Sequence, residues 1–203
     1  AYGESILLFL PTLLLLRECF ALFVSIYGSV LGHAGESEAN ALSRAGLRAV
    51  VTIGAVLSLG LFLFPALLMR MVAPGLDPER LAEGARMFRW ISPVLLLQEI
   101  SEYLRTVHNA HHRYIVPGSA VLLGNLMQAG ILLMLPGRLA LGAWIAALGA
   151  AALLQALFLF ALAPGISLKG MAGRPWHPEF PRLGRLIAPV ALGVLLVQAA
   201  GYI

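Results

Sequence analysis

The sequence predicts an all-α membrane protein that crosses the bilayer several times, and two observations lead to this prediction. Hydrophobic residues make up 60% of the chain and charged residues only 12%, against about 45–50% and about 25% in average soluble domains. The mean hydropathy is +0.87. The apolar residues form long continuous runs, with none of the alternation typical of a membrane barrel, which favours helices over strands.

Six runs are long enough to cross the bilayer, since a helix needs about 20 residues for a hydrocarbon core of about 30 Å. A single membrane bundle over residues 1–203 is therefore expected. The predicted spans cover residues 6–31, 47–72, 88–107, 116–135, 139–163 and 183–203. The connections between them are polar or rich in glycine and proline, among them GHAGESEANALSRAG and HNAHHRY. The chain begins at Ala1 without an initiator Met, so we expect it to be part of a longer one.

Basic residues in the connections predict the orientation. Eight lie on one side (Arg44, Arg48, Arg105, Arg113, Lys169, Arg174, Arg182 and Arg185) and five on the other (Arg70, Arg80, Arg86, Arg89 and Arg138). The positive-inside rule places the first set, with the HNAHHRY connection, in the cytoplasm. Proline and glycine interrupt most of the spans, which is typical either of close helix packing or of the bendable helices of a transporter.

Arg17 and Glu18 fall near the middle of the first span, where a charge costs at least about 2.5–3.5 kcal/mol. Neighbouring positions on a helix point in different directions, so the two need not pair with each other. Two interpretations are open. Arg17 pairs with a carboxylate on another helix and fixes the bundle, or it lines a hydrophilic cavity and meets an anionic substrate.

A second polar group occupies the third span and consists of Gln98, Glu99, Glu102 and Arg105. Glu99 and Glu102 are three residues apart and share a helix face, with Arg105 one turn further. An ion pair between Glu102 and Arg105 would lower the cost of burial. The carboxylates fit either an ion-coupling relay or a structural pairing. For the single polar residues Asn125, Gln128, Gln155 and Gln198, hydrogen bonds between helices are the expected role.

Enzyme and metal sites have little support in the sequence. The chain contains no GxSxG, HExxH, P-loop or GxGxxG motif, and its only cysteine, Cys19, excludes an internal disulfide. His108, His111 and His112 have the spacing of metal ligands on a helix, but Arg113 lies beside them and no carboxylate completes the set. We therefore expect a solvated interfacial loop with no metal. The net charge of +4 is too small and dispersed for nucleic-acid binding.

One stretch of the chain resembles the MurJ/MviN-type lipid II flippases of the multidrug/oligosaccharidyl-lipid/polysaccharide exporter superfamily. Its apolar helix ends in an APGF-like turn, here APGL at residues 73–76, and an amphipathic segment and a helix with Pro93 near its start follow. Next come an LNAxxRF-like turn, here HNAHHRY at residues 108–114, and a helix that carries Asn125. The order and spacing of these features carry the resemblance.

The resemblance implies most of one lobe of a two-lobe flippase in the bacterial inner membrane, without its first helix. Such a protein moves a polyprenyl-pyrophosphate-linked sugar, lipid II, by alternating access, without covalent chemistry or a cofactor. Its partners would be the lipid-linked sugar, membrane lipids and cell-wall synthesis proteins. Arg17, beside Glu18, would meet the pyrophosphate, because a guanidinium binds phosphate in a bidentate way. Gln98, Glu99, Glu102 and Arg105 would serve in gating or ion coupling.

The first span departs from the family pattern. The family's corresponding helix reads PNLLRRLFAEGAF, with an arginine pair, whereas this chain reads PTLLLLRECFALF and has Arg17 alone. Fewer cationic groups leave two alternatives open, an exporter of another lipid-linked oligosaccharide or a membrane scaffold that retains the fold without transport. An intramembrane enzyme is a third class, but no nucleophile–base pair can be named for it.

Overall fold

The computed structural model describes the backbone of residues 10–72, 75, 77–134, 141–166, 176–182, 184–186, 188–189 and 192. It describes their side chains from residue 20 onwards, except at positions 21, 71, 72 and 141. These residues contain no strand and six continuous helices: α1 (Leu10–Ala34), α2 (Glu36–Leu63), α3 (Pro65–Val72), α4 (Pro78–Ala110), α5 (Ile115–Met134) and α6 (Leu141–Ala161).

The predicted polar connection between the first two spans is largely helical. Only Gly35 separates α1 from α2, and its φ of 84° is accessible to glycine at little cost. Glu36 and Glu38 lie in the first turn of α2, where their charges complement the helix dipole. Buried Ala39 and Leu42 then begin an apolar stripe at helical spacing. The helix therefore starts eleven residues before the predicted span at 47.

A break at Phe64 divides the predicted span over 47–72 into α2 and α3. Phe64 leaves the helical conformation, with φ −120° and ψ 42°, and Pro65 follows it as the first residue of α3. This agrees with the preference of proline for the first turn of a helix and with the restriction that it places on the preceding residue.

Helix α4 also begins before its predicted span, because Asp77 caps it and Pro78 opens it. The Asp77 carboxylate accepts a hydrogen bond from the backbone N–H of Arg80 at 2.9 Å. Further along, Pro93 cannot donate to the carbonyl of Arg89, and the Ser92 hydroxyl donates to that carbonyl instead at 3.0 Å. Because the Ser92 hydroxyl replaces the backbone donor that Pro93 lacks, α4 stays helical through this proline.

Helix α4 lies at the centre of the bundle and contacts each of the other five helices. Its buried Tyr103 donates to the backbone carbonyl of Ser43 in α2 at 2.8 Å. The phenol fits there because position 46 is glycine, where a Cβ atom would overlap the Tyr103 hydroxyl. The rings of Phe20 and Phe23 in α1 pack edge-on against the same tyrosine.

Three helical segments are long and apolar enough to cross a membrane: Glu36–Leu63, Ile115–Met134 and Gly142–Ala161. These overlap the second, fourth and fifth predicted spans. The third predicted span lies in α4, which carries charged residues, and the first and last lie partly outside the described residues. Among the described residues, the structure thus contains helices with the length and composition of a membrane span at three of the six predicted positions.

Candidate functional site

The polar residues predicted in the third span share one face of α4. Gln98, Glu102 and Arg105 follow one another at helical spacing, with Glu99 beside them, and all four side chains are partly exposed. We call these four residues the polar face. It lies within the predicted span, and the Glu102 side chain is 47% exposed. A partly exposed carboxylate at this depth requires a water-filled space or a partner.

Arg105 joins this face to α6. Its Nη1 donates to Glu102 Oε1 at 2.7 Å, which is the ion pair expected from the spacing. Its Nη2 donates to Gln155 Oε1 in α6 at 3.0 Å, a contact that sequence spacing did not predict. Gln155 is only 7% exposed, and position 124 in α5 is glycine because a Cβ atom there would overlap the Gln155 amide. Three helices are thereby held together around one guanidinium.

The other predicted polar residues occupy different environments. Glu99 is partly exposed and forms no ion pair with any side chain that the structure describes. Asn125 is exposed and Gln128 is partly exposed on α5. Arg17 and Glu18 lie on α1, but their side chains are outside the described part of the chain, as is the whole of Gln198.

The histidine cluster does not form the solvated loop that we expected from the sequence. His108 lies inside α4 and is fully buried, and its Nε2–H donates to the carbonyl of Leu159 at 3.0 Å. His111 is partly buried, and only His112 of the three is exposed. The hydropathy of the sequence could not predict that His108 is buried, because its burial depends on the packing of α6 over the end of α4. The prediction was wrong for His108 and correct for His112.

His111 links the α4–α5 turn to α1. The Tyr27 hydroxyl lies 2.6 Å from His111 Nε2, and the two rings are 5.1 Å apart. A neutral imidazole accepts this hydrogen bond from the phenol. Burial, and after it the Arg113 guanidinium, lowers the pKa of His111 below its usual value, which favours that neutral form. The turn itself is tight, since the non-glycine His112 has a φ of 58°.

All five histidines of the chain lie at one end of the bundle, which we call the histidine end (residues 33–38, 108–114, 162–166 and 176–182). Its contacts include Arg44 with the carbonyl of Gly165 at 2.9 Å and His177 with Glu38 at 3.7 Å. No group of three or more possible metal ligands comes together within the described residues.

A cavity of about 540 Å³ opens at the histidine end. Its lining includes His33, Glu38, His177, Glu179 and Arg182, none of which the sequence analysis assigned to a functional site. Glu179 and Arg182 form an ion pair at 3.5 Å. No sequence signal predicts this cavity, because it forms between helix ends and a segment more than 130 residues further along the chain.

Comparison with known protein families gives a match over nearly the whole chain. The family model described as Lipid II flippase MurJ matches residues 12–202, nearly the whole chain. The same comparison with curated proteins and with solved structures gives no match.

Proposed function

The chain belongs to the lipid II flippase MurJ family, and we propose that it serves in the translocation of a polyprenyl-pyrophosphate-linked sugar across the bacterial inner membrane. Transport proceeds by alternating access without covalent chemistry. The observation that carries the proposal, beyond the family, is the polar face of α4. A flippase needs a hydrophilic route for the sugar and the pyrophosphate, while the polyprenyl tail stays in the lipid.

The polar face fits that route because it is too polar for a lipid-facing surface. Glu102 and Arg105 form an ion pair, yet the Glu102 side chain is about half exposed. Facing hydrocarbon, such a carboxylate would cost at least about 2.5–3.5 kcal/mol. A water-filled passage removes that cost, and the polar face then forms part of the passage wall.

In this proposal Arg17, beside Glu18, meets the pyrophosphate. A guanidinium is always charged and donates in a planar fork that matches two phosphate oxygens. Arg105 is less suited to this task, since its two terminal nitrogens are already bonded to Glu102 and Gln155. Gln98, Glu99, Glu102 and Arg105 act in gating or ion coupling, and the histidine end faces the cytoplasm, where cell-wall synthesis proteins supply the substrate.

The test is translocation of labelled lipid II by the complete protein in sealed vesicles. We expect Arg17→Ala to abolish most of the translocation and Arg17→Lys to restore only part of it, because an ammonium cannot form the bidentate contact. Arg86→Ala is the matched control, since Arg86 is an exposed arginine on α4 outside the predicted span. Undiminished translocation in Arg17→Ala would contradict the role of Arg17.

A second candidate function follows from the single arginine in PTLLLLRECFALF, where the family pattern has two. With fewer cationic groups, the substrate would be another lipid-linked oligosaccharide that carries less negative charge. In the same vesicles, transport of a monophosphate-linked oligosaccharide but not of lipid II would favour this candidate. Transport of neither would favour a scaffold that retains the fold.

A further inference from the structure

Relative to the predicted spans, the cavity at the histidine end lies at the level of the lipid headgroups. His33 and Glu38, which line it, follow the first predicted span, and the lining residues from His177 to Arg182 precede the last one. Trp176, the neighbour of His177 in sequence, is 66% exposed, and tryptophan is enriched where a membrane meets water. The volume of about 540 Å³ is that of a small-molecule site.

Hydrogen bonds within the protein determine what the two histidines of the cavity offer to a ligand. His33 Nδ1–H donates to the carbonyl of Ser29 at 2.8 Å, so Nε2 of the neutral ring is an acceptor. His177 Nδ1 accepts from the backbone N–H of Glu179 at 3.2 Å, so its proton lies on Nε2. His33 therefore offers a lone pair.

Glu38 adds a negative charge beside this acceptor. Its Oε2 lies 3.7 Å from His177 Nε2, which is too far for a hydrogen bond, and its side chain is 60% exposed. The carboxylate therefore keeps its capacity to accept hydrogen bonds. A ligand at this side of the cavity has to bring N–H donors and a positive charge.

Arg182 gives the cavity a cationic side as well. Its Nη1 lies 3.5 Å from Glu179 Oε2, and the structure gives it no other partner among the described residues. A guanidinium has five N–H donors, so donors remain for an anionic group. The lining thus combines acceptors at Glu38 and His33 with donors at Arg182, which suits a ligand that carries both charges.

We propose that the cavity binds the headgroup of an aminophospholipid, in which a primary ammonium is linked to a phosphodiester. The ammonium lies against Glu38 and His33 Nε2, and the phosphate lies against Arg182. An ammonium matches the acceptors because it has three N–H donors, whereas the quaternary ammonium of a choline headgroup has none. The site does not involve the polar face of α4, and the proposal does not depend on translocation.

Thermal unfolding of the complete protein in detergent tests the headgroup. Dihexanoyl phosphatidylethanolamine should raise the Tm until the site is saturated, because a ligand that binds only the folded protein stabilises it. The phosphatidylcholine with the same chains is the matched control and should need at least about tenfold more lipid for the same shift, because charge-assisted hydrogen bonds are lost. Equal potency of the two lipids, or no shift with the ethanolamine lipid, would overturn the proposal.

Variants of the acceptor side locate the ammonium. Glu38→Gln should raise the required concentration of the ethanolamine lipid at least about tenfold. Glu36→Gln is the matched control, since Glu36 is an exposed carboxylate in the same turn of α2 and is not among the lining residues. His33→Ala, at an exposed position of α1, is a second variant with an expected loss. Unchanged potency in both Glu38→Gln and His33→Ala would overturn the site.

Free ethanolamine distinguishes a lipid from a soluble amine. It should need at least about tenfold higher concentration than the lipid, because it lacks the phosphate that Arg182 binds. Arg182→Gln should weaken the effect of the lipid and leave that of ethanolamine unchanged. Equal potency of ethanolamine and the lipid, or an Arg182→Gln variant that responds to the lipid as the unmodified protein does, would overturn the assignment to a phospholipid.

Discussion

The outer face of α2 and the polar face of α4 are both exposed on the bundle at the same depth, yet their chemistry is opposite. Helices α2 and α4 are antiparallel and in register, since the Ser58 hydroxyl donates to the carbonyl of Ser92 at 2.6 Å and Gly54 faces Leu96. Ile53, Val56 and Leu57 are more than half exposed on α2, and no charged residue occurs from position 49 to position 69. The polar face of α4 at that depth exposes Gln98 and Glu99 instead.

This difference shows that an exposed side chain in a membrane protein can face either lipid tails or water. The apolar face of α2 gains nothing from water and is stable in lipid tails, whereas partly exposed carboxylates need water or a partner. In the proposed function, helix α4 is the wall of a hydrophilic passage, and α2 is part of the outer surface of the bundle. The two faces should therefore differ in how strongly a new charge destabilises the protein.

The largest difference in stability between the two faces is expected when a new charge is introduced on each. We expect Ile53→Asp to cost at least about 2.5–3.5 kcal/mol, because the carboxylate would face hydrocarbon. Gln98→Asp should cost far less, because the proposed passage supplies water to the polar face. The yield of folded protein in the membrane and its Tm measure the contrast. Similar losses for both variants would remove the distinction between the faces.

The packing that holds the polar face in place is tested at Gly124. We expect Gly124→Ala to destabilise the bundle by about 1–3 kcal/mol, because the new methyl group overlaps the Gln155 amide. Gly130→Ala is the matched control in the same helix, where a Cβ atom meets nothing within 4 Å. Thermal unfolding in detergent compares the two variants, and a Tm for Gly124→Ala equal to that of the control would argue against the close approach of α5 and α6.

The hydrogen bond from Arg105 to Gln155 should have a smaller effect. We expect Gln155→Leu to cost about 1 kcal/mol, because Nη2 of Arg105 loses its acceptor while the pair with Glu102 remains. Gln128→Leu serves as the control and should cost no more than about 0.6 kcal/mol, the average for a polar contact between membrane helices. If Gln128→Leu proved the more costly, Gln155 would not be the residue that joins α4 to α6.

The smallest effect is expected from pH at the α4–α5 turn. The pKa of His111 is lowered in the folded protein, so the unfolded chain takes up this proton at a higher pH than the folded one. Acidification through the usual range of histidine, near about pH 6.5, therefore favours unfolding until the lowered pKa is reached.

The matched variant is His111→Gln, which keeps an acceptor for Tyr27 but does not titrate. The fall in Tm between about pH 8 and about pH 5.5 should be smaller in this variant than in the unmodified protein. A fall of the same size in both would exclude His111 as the group responsible.

The sequence predicted those features that depend on local patterns. Long apolar runs indicated helices, and the spacing of Glu102 and Arg105 predicted their ion pair, which the structure contains. The order of motifs around HNAHHRY indicated the family that the comparison with known families confirms. The first two depend on residues within a few turns of one another, and the third depends on the order of short motifs along the chain.

Features that depend on tertiary packing, or on the conformational preference of single residues, were not predicted. The break at Phe64 and the continuous helix from Glu36 follow from local propensities that hydropathy averages conceal. The burial of His108 and the contact of Arg105 with Gln155 join residues about 50 positions apart, and no periodicity within one helix indicates which residues of another helix will face it. Spans were therefore more predictable than the chemistry between them.

Water accessibility tests most directly whether α4 faces a hydrophilic passage. In the complete protein without other cysteines, Gln98→Cys and Ile53→Cys lie at nearly the same depth, on the polar face and on the outer face of α2. A membrane-impermeant thiol reagent should label Gln98→Cys from at least one side of sealed vesicles and should leave Ile53→Cys unlabelled. Failure to label Gln98→Cys from either side, or equal labelling of both cysteines, would contradict the passage and with it the proposed route of the substrate.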